Sequence, residues 1–198
     1  TQPFRDGIRL GMPVSSVKRF QDRVEITAKG KTESFDQVVL AAHSDQALRM
    51  LADPTDLEND ILSVIPYQEN VAVLHTDATL MPKKKIAWAS WNYHIPKEET
   101  GRVALTYDMN RLQSLDAPEE FCVTLNMSGA IQPQKKIESL VYHHPVYDPK
   151  SLQARRSQDD LNGQNRTYYC GAYWGYGFHE DGVNSALAVC KHFGKHLS

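Results

Sequence analysis

The run Arg166–Ala186, Arg-Thr-Tyr-Tyr-Cys-Gly-Ala-Tyr-Trp-Gly-Tyr-Gly-Phe-His-Glu-Asp-Gly-Val-Asn-Ser-Ala, restricts this chain more than any other segment. It reads as a strand stopped by Gly171, an aromatic loop, and the start of a helix placed near Asp181 and running to about His196. A strand that ends in glycine presents backbone without a Cβ, so a flat group can approach it closely. The first amides of the following helix lack intrahelical partners, and its dipole is positive there. Together these stabilise a nearby negative charge by roughly 0.3–1 kcal/mol. Ser185 and Ala186 keep the first turns thin. An ordinary capped helix after a glycine-rich loop would give the same pattern.

Upstream, Val14–Phe20 and Arg23–Ala28 alternate as strands around Gln21-Asp22, with a turn at Lys29-Gly30-Lys31. Gln37–Ala42 is a continuous apolar run of the kind found in a strand buried on both faces. Ser44 is placed to cap a helix over Asp45–Ala52, which Asp53-Pro54 ends. Thr55-x-x-Glu58 is a capping box opening a second helix with Leu57, Ile61, Leu62 and Ile65 on one face. Strands follow at Asn70–His75, Ile86–Ser90, Arg102–Tyr107, Phe121–Asn126 and Glu138–His144. Short helical pieces are expected at Asn110–Ser114, at Pro133–Ile137 and after Asp148-Pro149, and a loop at Ser157–Gln164. The fold class is α+β: a mixed or antiparallel sheet lobe, part of a second lobe, and a C-terminal helix.

Composition narrows the function classes. The chain has 22 basic and 24 acidic residues. Its few basic runs are short; Lys83-Lys84-Lys85 and Arg155-Arg156 read as solvated turns, so no nucleic-acid partner is expected. No apolar run is long enough to span a membrane. Cys122, Cys170 and Cys190 are scattered and odd in number, which suits reduced thiols in a cytoplasmic protein; Cys122 and Cys170 lie in apolar strands as small core residues. His143-His144, His75-x-Asp77 and His179-Glu-Asp181 lack a spacing that fixes coordination geometry, so no metal is expected. No nucleophile with a positioned base is identifiable, and the catalytic residue stays unassigned.

The tail resembles the C-terminal flavin-contacting motif of the FAD-dependent amine oxidase superfamily, and within it a bacterial and fungal branch of predicted NAD/FAD-binding proteins. Asp36–Leu48, Asn70–Asp77, Ala87–Tyr93 and His144–Tyr147 occur in the order that branch shows. The resemblance implies FAD as cofactor, with a small-molecule substrate. It implies cofactor contacts at Val14, Ala41, Ala42, Gly171, Asp181, Gly182 and Val183, and a substrate side near Phe178, His179, Trp174, Trp91 and Tyr93. The same residues have plain core or turn readings. It also implies that residues 1–53 belong to the FAD-binding lobe, 54–160 to the substrate lobe, and 161–198 to the flavin-contacting strand and helix.

Two departures from the family pattern shape the expectation. The early glycines Gly7, Gly11 and Gly30 do not make a G-x-G-x-x-G turn. The chain therefore reads as the C-terminal part of a longer flavoprotein, with the missing N-terminal part as its partner and weak or no FAD binding alone. Glu69–His75 also lacks the lysine that many amine oxidases carry on that strand. Oxidation of a C–N bond and a desaturase or isomerase reaction at a C–C bond both stay open. So does a folded, inactive module that self-associates as a homodimer through apolar faces.

Overall fold

Alternating valine, isoleucine and threonine from Val14 onward fold into a three-stranded antiparallel meander. Its strands are β1 (Val14–Arg19), β2 (Val24–Ala28) and β3 (Lys31–Phe35), in that order. The computed structural model describes residues 2–95 and 101–197. These form two compact units: one runs up to Pro66 and resumes at Pro145, the other is Tyr67–His144. Lys29 and Gly30 both take positive φ (49° and 74°), the twist a two-residue hairpin turn needs. β3 is a strand the sequence did not declare, because all five of its side chains are exposed and no apolar alternation marks it.

The register Val17↔Ile26 and Arg19↔Val24 puts these residues on one face of the meander. There Val17 and Val24 are fully buried. β4 (Val38–Leu40) leads into α1 (Ser44–Met50) and α2 (Asp56–Leu62). His43, not Ser44, occupies the N-cap of α1, and Ser44 is buried as the first helical residue. The backbone bond from Ala52 N–H to Val17 O (2.9 Å) ties the end of α1 to β1. The α2 capping box forms as the spacing requires, with Glu58 N–H donating to Thr55 Oγ1 (3.2 Å) and Thr55 N–H to the Glu58 carboxylate (2.7 Å). Ile61, Leu62 and Ile65 are buried; Leu57, expected on the same face, is 39% exposed.

The second unit is a five-stranded sheet of order β6-β7-β8-β5-β9. Its strands are β5 (Tyr67–His75), β6 (Trp91–His94), β7 (Ala104–Asp108), β8 (Cys122–Leu125) and β9 (Lys136–Pro145), with α3 (Met109–Gln113) between β7 and β8. The strand expected at Ile86–Ser90 is instead a 3-10 turn over Lys85–Ala87 and irregular chain. Asn92 explains the shift. Its side chain accepts from Ala89 N–H (3.1 Å) and donates to Ala89 O (2.6 Å), meeting the backbone groups a strand neighbour would have met. β9 is an edge strand whose apolar side chains Ile137, Leu140, Val141 and Tyr142 are all exposed.

The first unit then resumes with α4 (Pro149–Ala154), capped by Asp148, and α5 (Gln158–Leu161), a short helix where a loop was expected. β10 (Thr167–Tyr169) pairs in parallel with β4, and α6 (His179–His192) closes the chain.

One polar knot joins these pieces. The Arg19 guanidinium, its side chain 3% exposed, spans both oxygens of Glu58 (2.7 and 2.9 Å) and also bonds Asp53 (2.8 Å). Tyr169 of β10 donates its hydroxyl to Glu58 at 2.5 Å. Burial disfavours the Glu58 carboxylate, but Arg19, the Thr55 amide and Tyr169 outweigh it and hold the group at about 2. Burial, then the Glu58 carboxylate, push the Tyr169 phenol up. Because the folded value lies below the ordinary one, this stabilisation is present above about pH 4.5 and is lost as pH falls towards 2. Urea unfolding of Glu58→Gln at neutral pH should show a loss of about 3 kcal/mol, since the buried arginine loses its buried counter-charge and keeps only the half-exposed Asp53. The variant should also show a flatter stability profile than the parent between about pH 5 and 2.

Candidate functional site

β4 and β10 pair through Val38↔Thr167 and Leu40↔Tyr169, and Cys170 N–H adds a bond to Leu40 O (3.1 Å). Both strands therefore end side by side, which brings Ala41 and Ala42 next to Gly171. The carboxyl ends of adjacent parallel strands are where open α/β sheets hold their ligands. Beside them, Val14, Ser15, Ala42, Gln46, Arg49 and Met50 line a depression of about 390 Å³. Two residues expected to meet the nucleotide end of a cofactor, Val14 and Ala42, thus share one groove.

Three glycines of the tail have different causes. A Cβ on Gly171 would lie 2.5 Å from Cε1 of Tyr173 and 3.4 Å from Ala42 O, so packing inside the unit already demands glycine there. Its amide donates to Ser185 Oγ (2.8 Å), and that hydroxyl donates on to Gly182 O (2.8 Å), which pins the strand end to α6. On Gly175 a Cβ would meet the Asp181 carboxylate at 2.3 Å. Gly182 is different: the nearest atoms to its Cβ would be Ala172 N at 3.9 Å and Ala172 Cβ at 4.0 Å, ordinary contacts.

The helix starts at His179, two residues before the position the sequence suggested. Gly182 N–H already donates to Phe178 O (3.3 Å), and Val183 lies inside the helix, half-exposed. The donors that α6 itself leaves unpaired are therefore those of its first turn, His179 to Asp181. The Asp181 carboxylate turns back to accept from Tyr176 N–H (2.9 Å) and Phe178 N–H (3.0 Å), fixing the aromatic loop onto the helix.

Of the residues expected on the substrate side, Phe178 and His179 are exposed at the head of α6. Trp174 is buried, its ring 4.9 Å from that of Tyr173, and its indole N–H has no hydrogen-bond partner among the described residues. Trp91 and Tyr93 belong to the second unit. Register places them on one sheet face with Tyr107 and Leu105, and the Trp91 and Tyr107 rings meet edge to face at 5.7 Å.

Sequence reasoning missed Arg155, which it assigned to a solvated turn. Its guanidinium lies over Tyr147 (4.9 Å) and Tyr176 (4.5 Å) and donates to Gly175 O, holding the aromatic loop from below α4. The sandwich depends on rings that the fold brings together from Tyr147 and Tyr176, and no local pattern announces it.

The sequence pattern of the family described as flavin containing amine oxidoreductase matches residues 4–108, more than half of the chain. The chain belongs to that family. Three solved structures share the fold of this chain. A CLA-producing fatty acid isomerase from P. acnes is 18% identical over 92% of this chain and 47% of that one (TM-score 0.63). Cyclohexylamine oxidase from Brevibacterium oxydans IH-35A is 12% identical over 96% and 50% (TM-score 0.61). Putrescine oxidase bound to putrescine is 12% identical over 98% and 51% (TM-score 0.62). The chain spans about half the length of each. No curated protein matches its sequence.

The loop before α6 depends on Gly175. Replacing Gly175 with Ala forces the Asp181 carboxylate off the Tyr176 and Phe178 amides. The variant should lose about 1–3 kcal/mol in urea unfolding, the usual effect of overpacking. Proteolysis should shift to the 175–178 loop.

Proposed function

We infer that this chain is the C-terminal part of an FAD-dependent oxidoreductase. Residues 1–53 and 161–198 contribute to the flavin-binding lobe, and residues 54–160 form the cover over a small-molecule substrate. Bound flavin would accept a hydride from a C–N or C–C bond of that substrate. The chain's own residues would bind and orient it. Val14 and Ala42 would flank the nucleotide end, with Ala41 and Gly171 beside them at the strand ends. The head of α6, from Asp181 through Gly182 to Val183, would lie along an electron-rich edge, with the positive dipole end of the helix favouring negative charge there.

Gly182 carries this reading. A glycine inside a helix is about 1 kcal/mol less favourable than alanine, and the protein's own neighbours leave room for a methyl group at that position. The missing Cβ therefore serves something outside the described residues, and a planar ring lying against α6 is the fitting occupant. The two-stranded parallel pair β4–β10 supports the same view, because parallel strands are ordinarily covered on both faces, whereas Val39 is 46% exposed. An upstream dinucleotide-binding part of the same protein would supply that cover. Alone, the chain would hold FAD weakly or not at all. A cytoplasmic setting suits its three free thiols.

The substrate side favours no single bond type. β5 carries no lysine from Tyr67 to His75, and one neighbour in fold is a fatty acid isomerase while others are amine oxidases. A C–C reaction therefore stands beside amine oxidation, with Phe178, His179, Trp174, Trp91 and Tyr93 as the candidate substrate-side groups.

Substitution of Gly182 by Ala tests the reading with two opposed readouts. The isolated chain should become more stable by about 0.5–1 kcal/mol, while the longer protein should bind FAD at least about tenfold more weakly by fluorescence titration, a crowding penalty of about 1.4 kcal/mol. Unchanged FAD affinity in the variant overturns the assignment of α6. Anaerobic flavin reduction by a panel of amines and unsaturated fatty acids then assigns the bond that is oxidised; reduction by neither class overturns both reactions.

A further inference from the structure

Four side chains on adjacent strands of the second unit form one continuous hydrogen-bonded row. His75 Nε2 on β5 meets Thr124 Oγ1 on β8 at 2.7 Å, and Thr124 meets Thr106 Oγ1 on β7 at 2.8 Å. Thr106 in turn meets His94 Nε2 on β6 at 2.8 Å. His75, Thr106 and Thr124 are fully buried, and His94 is half-buried. The direct pairing Thr106↔Thr124 keeps the hydroxyls on one face of the sheet.

One arrangement of protons satisfies every link in this row and leaves no hydroxyl proton unused. Asp77 N–H can only donate, and it lies 3.0 Å from His75 Nδ1. That nitrogen is therefore bare, and Nε2–H donates to Thr124. With every hydroxyl proton used, Thr124 donates to Thr106, and Thr106 to His94 Nε2, which leaves the His94 proton on Nδ1. Three links use three protons.

We propose that the row is a proton-operated clamp on β6, closed while His94 is neutral and opened when His94 takes up a proton. An imidazolium donates from both nitrogens. With His94 charged, four protons compete for three links: either the Thr106–His94 link breaks, or Thr106 and His75 both donate to Thr124 and its own proton loses its acceptor. Burial lowers the proton affinity of both imidazoles. The folded value of His94 lies below the ordinary one, so the clamp is intact above the ordinary imidazole range and is lost as pH falls below it.

Among the described residues, the charged groups around the row do not offset a charge on His94. At the His75 end lies Asp77, which accepts from Gln132 and Thr79 and is 3.6 Å from Lys135. Beyond Thr106 on β7 lies Asp108, paired with Arg111 (3.0 Å) and close to Glu120 and Cys122. Among the described residues, Thr106 is the sole hydrogen-bond partner of the His94 ring. β6 carries Trp91 and Tyr93 on its other face, so opening the clamp loosens both rings. The effect on a ligand rests on the proposed substrate-side role of those rings; the clamp itself does not.

Amide exchange by NMR on the chain as it stands tests the clamp without any ligand. Between about pH 8 and 5, after correction for intrinsic rates, protection of the Asn92 and His94 amides should fall about tenfold, the worth of one buried hydrogen bond. Protection along Val123–Leu125 should hold. His94→Gln keeps a neutral acceptor and should show no such fall; a fall equal to the parent's overturns the proposal. Thr106→Val should raise the titration midpoint of the His94 ring towards that of a free imidazole, with Val123–Leu125 protection reporting that the sheet is intact. An unmoved midpoint also overturns the proposal. If Thr106→Val does not fold, His94→Gln decides alone.

Discussion

The Arg19–Glu58 pair is the contact on which the first unit depends. It is buried, doubly hydrogen-bonded and shared by four segments: Arg19 comes from β1, Asp53 from the turn after α1, Glu58 from α2 and Tyr169 from β10. Buried ion pairs are poor sources of net stability when compared with apolar packing, but breaking one is severe. Their use here is in specification. Each partner satisfies the others only when the meander, the helical hairpin and the β4–β10 pair are all in place. Tyr169 is the last strand residue before Cys170 and Gly171, so the same knot sets the height at which the glycine-ended strand stops beside Ala42.

Much of this architecture was legible because its causes are local. The alternation of β1 and β2, the Lys29-Gly30 turn, the Thr55–Glu58 capping box and the Asp148 cap all act within a few residues, and each appears where the pattern placed it. What failed to show depends on distant partners. β3 carries polar side chains on an exposed surface, so only its pairing with β2 makes it a strand. Ile86–Ser90 has strand-like residues, but the Asn92 side chain captures both backbone groups of Ala89 and moves the strand forward. Arg155 looked like a solvated charge until Tyr147 and Tyr176 were brought around it.

The candidate site divides the same way. The β4–β10 pairing sets Ala42 beside Gly171, and Val14 shares a depression with Ala42; the resemblance to flavin enzymes names all three as cofactor contacts. The separate reasons for the three glycines did not follow from sequence. Gly171 and Gly175 yield space to Tyr173 and Asp181, whereas Gly182 yields it to no neighbour. A glycine-rich motif is therefore not one signal. Only the built-out Cβ distinguishes a residue that protects packing from one that keeps a surface thin.

β9 carries a different implication. Ile137, Leu140, Val141 and Tyr142 face solvent from both sides of a ten-residue strand at the margin of its sheet. A bare ribbon of this kind acts as a template onto which other extended, greasy segments can zip, and nothing in its own sequence blunts it with proline before Pro145. Nascent copies crowded on a polysome would meet that hazard first. The yield of soluble material thus hinges on how quickly this one ribbon finds cover.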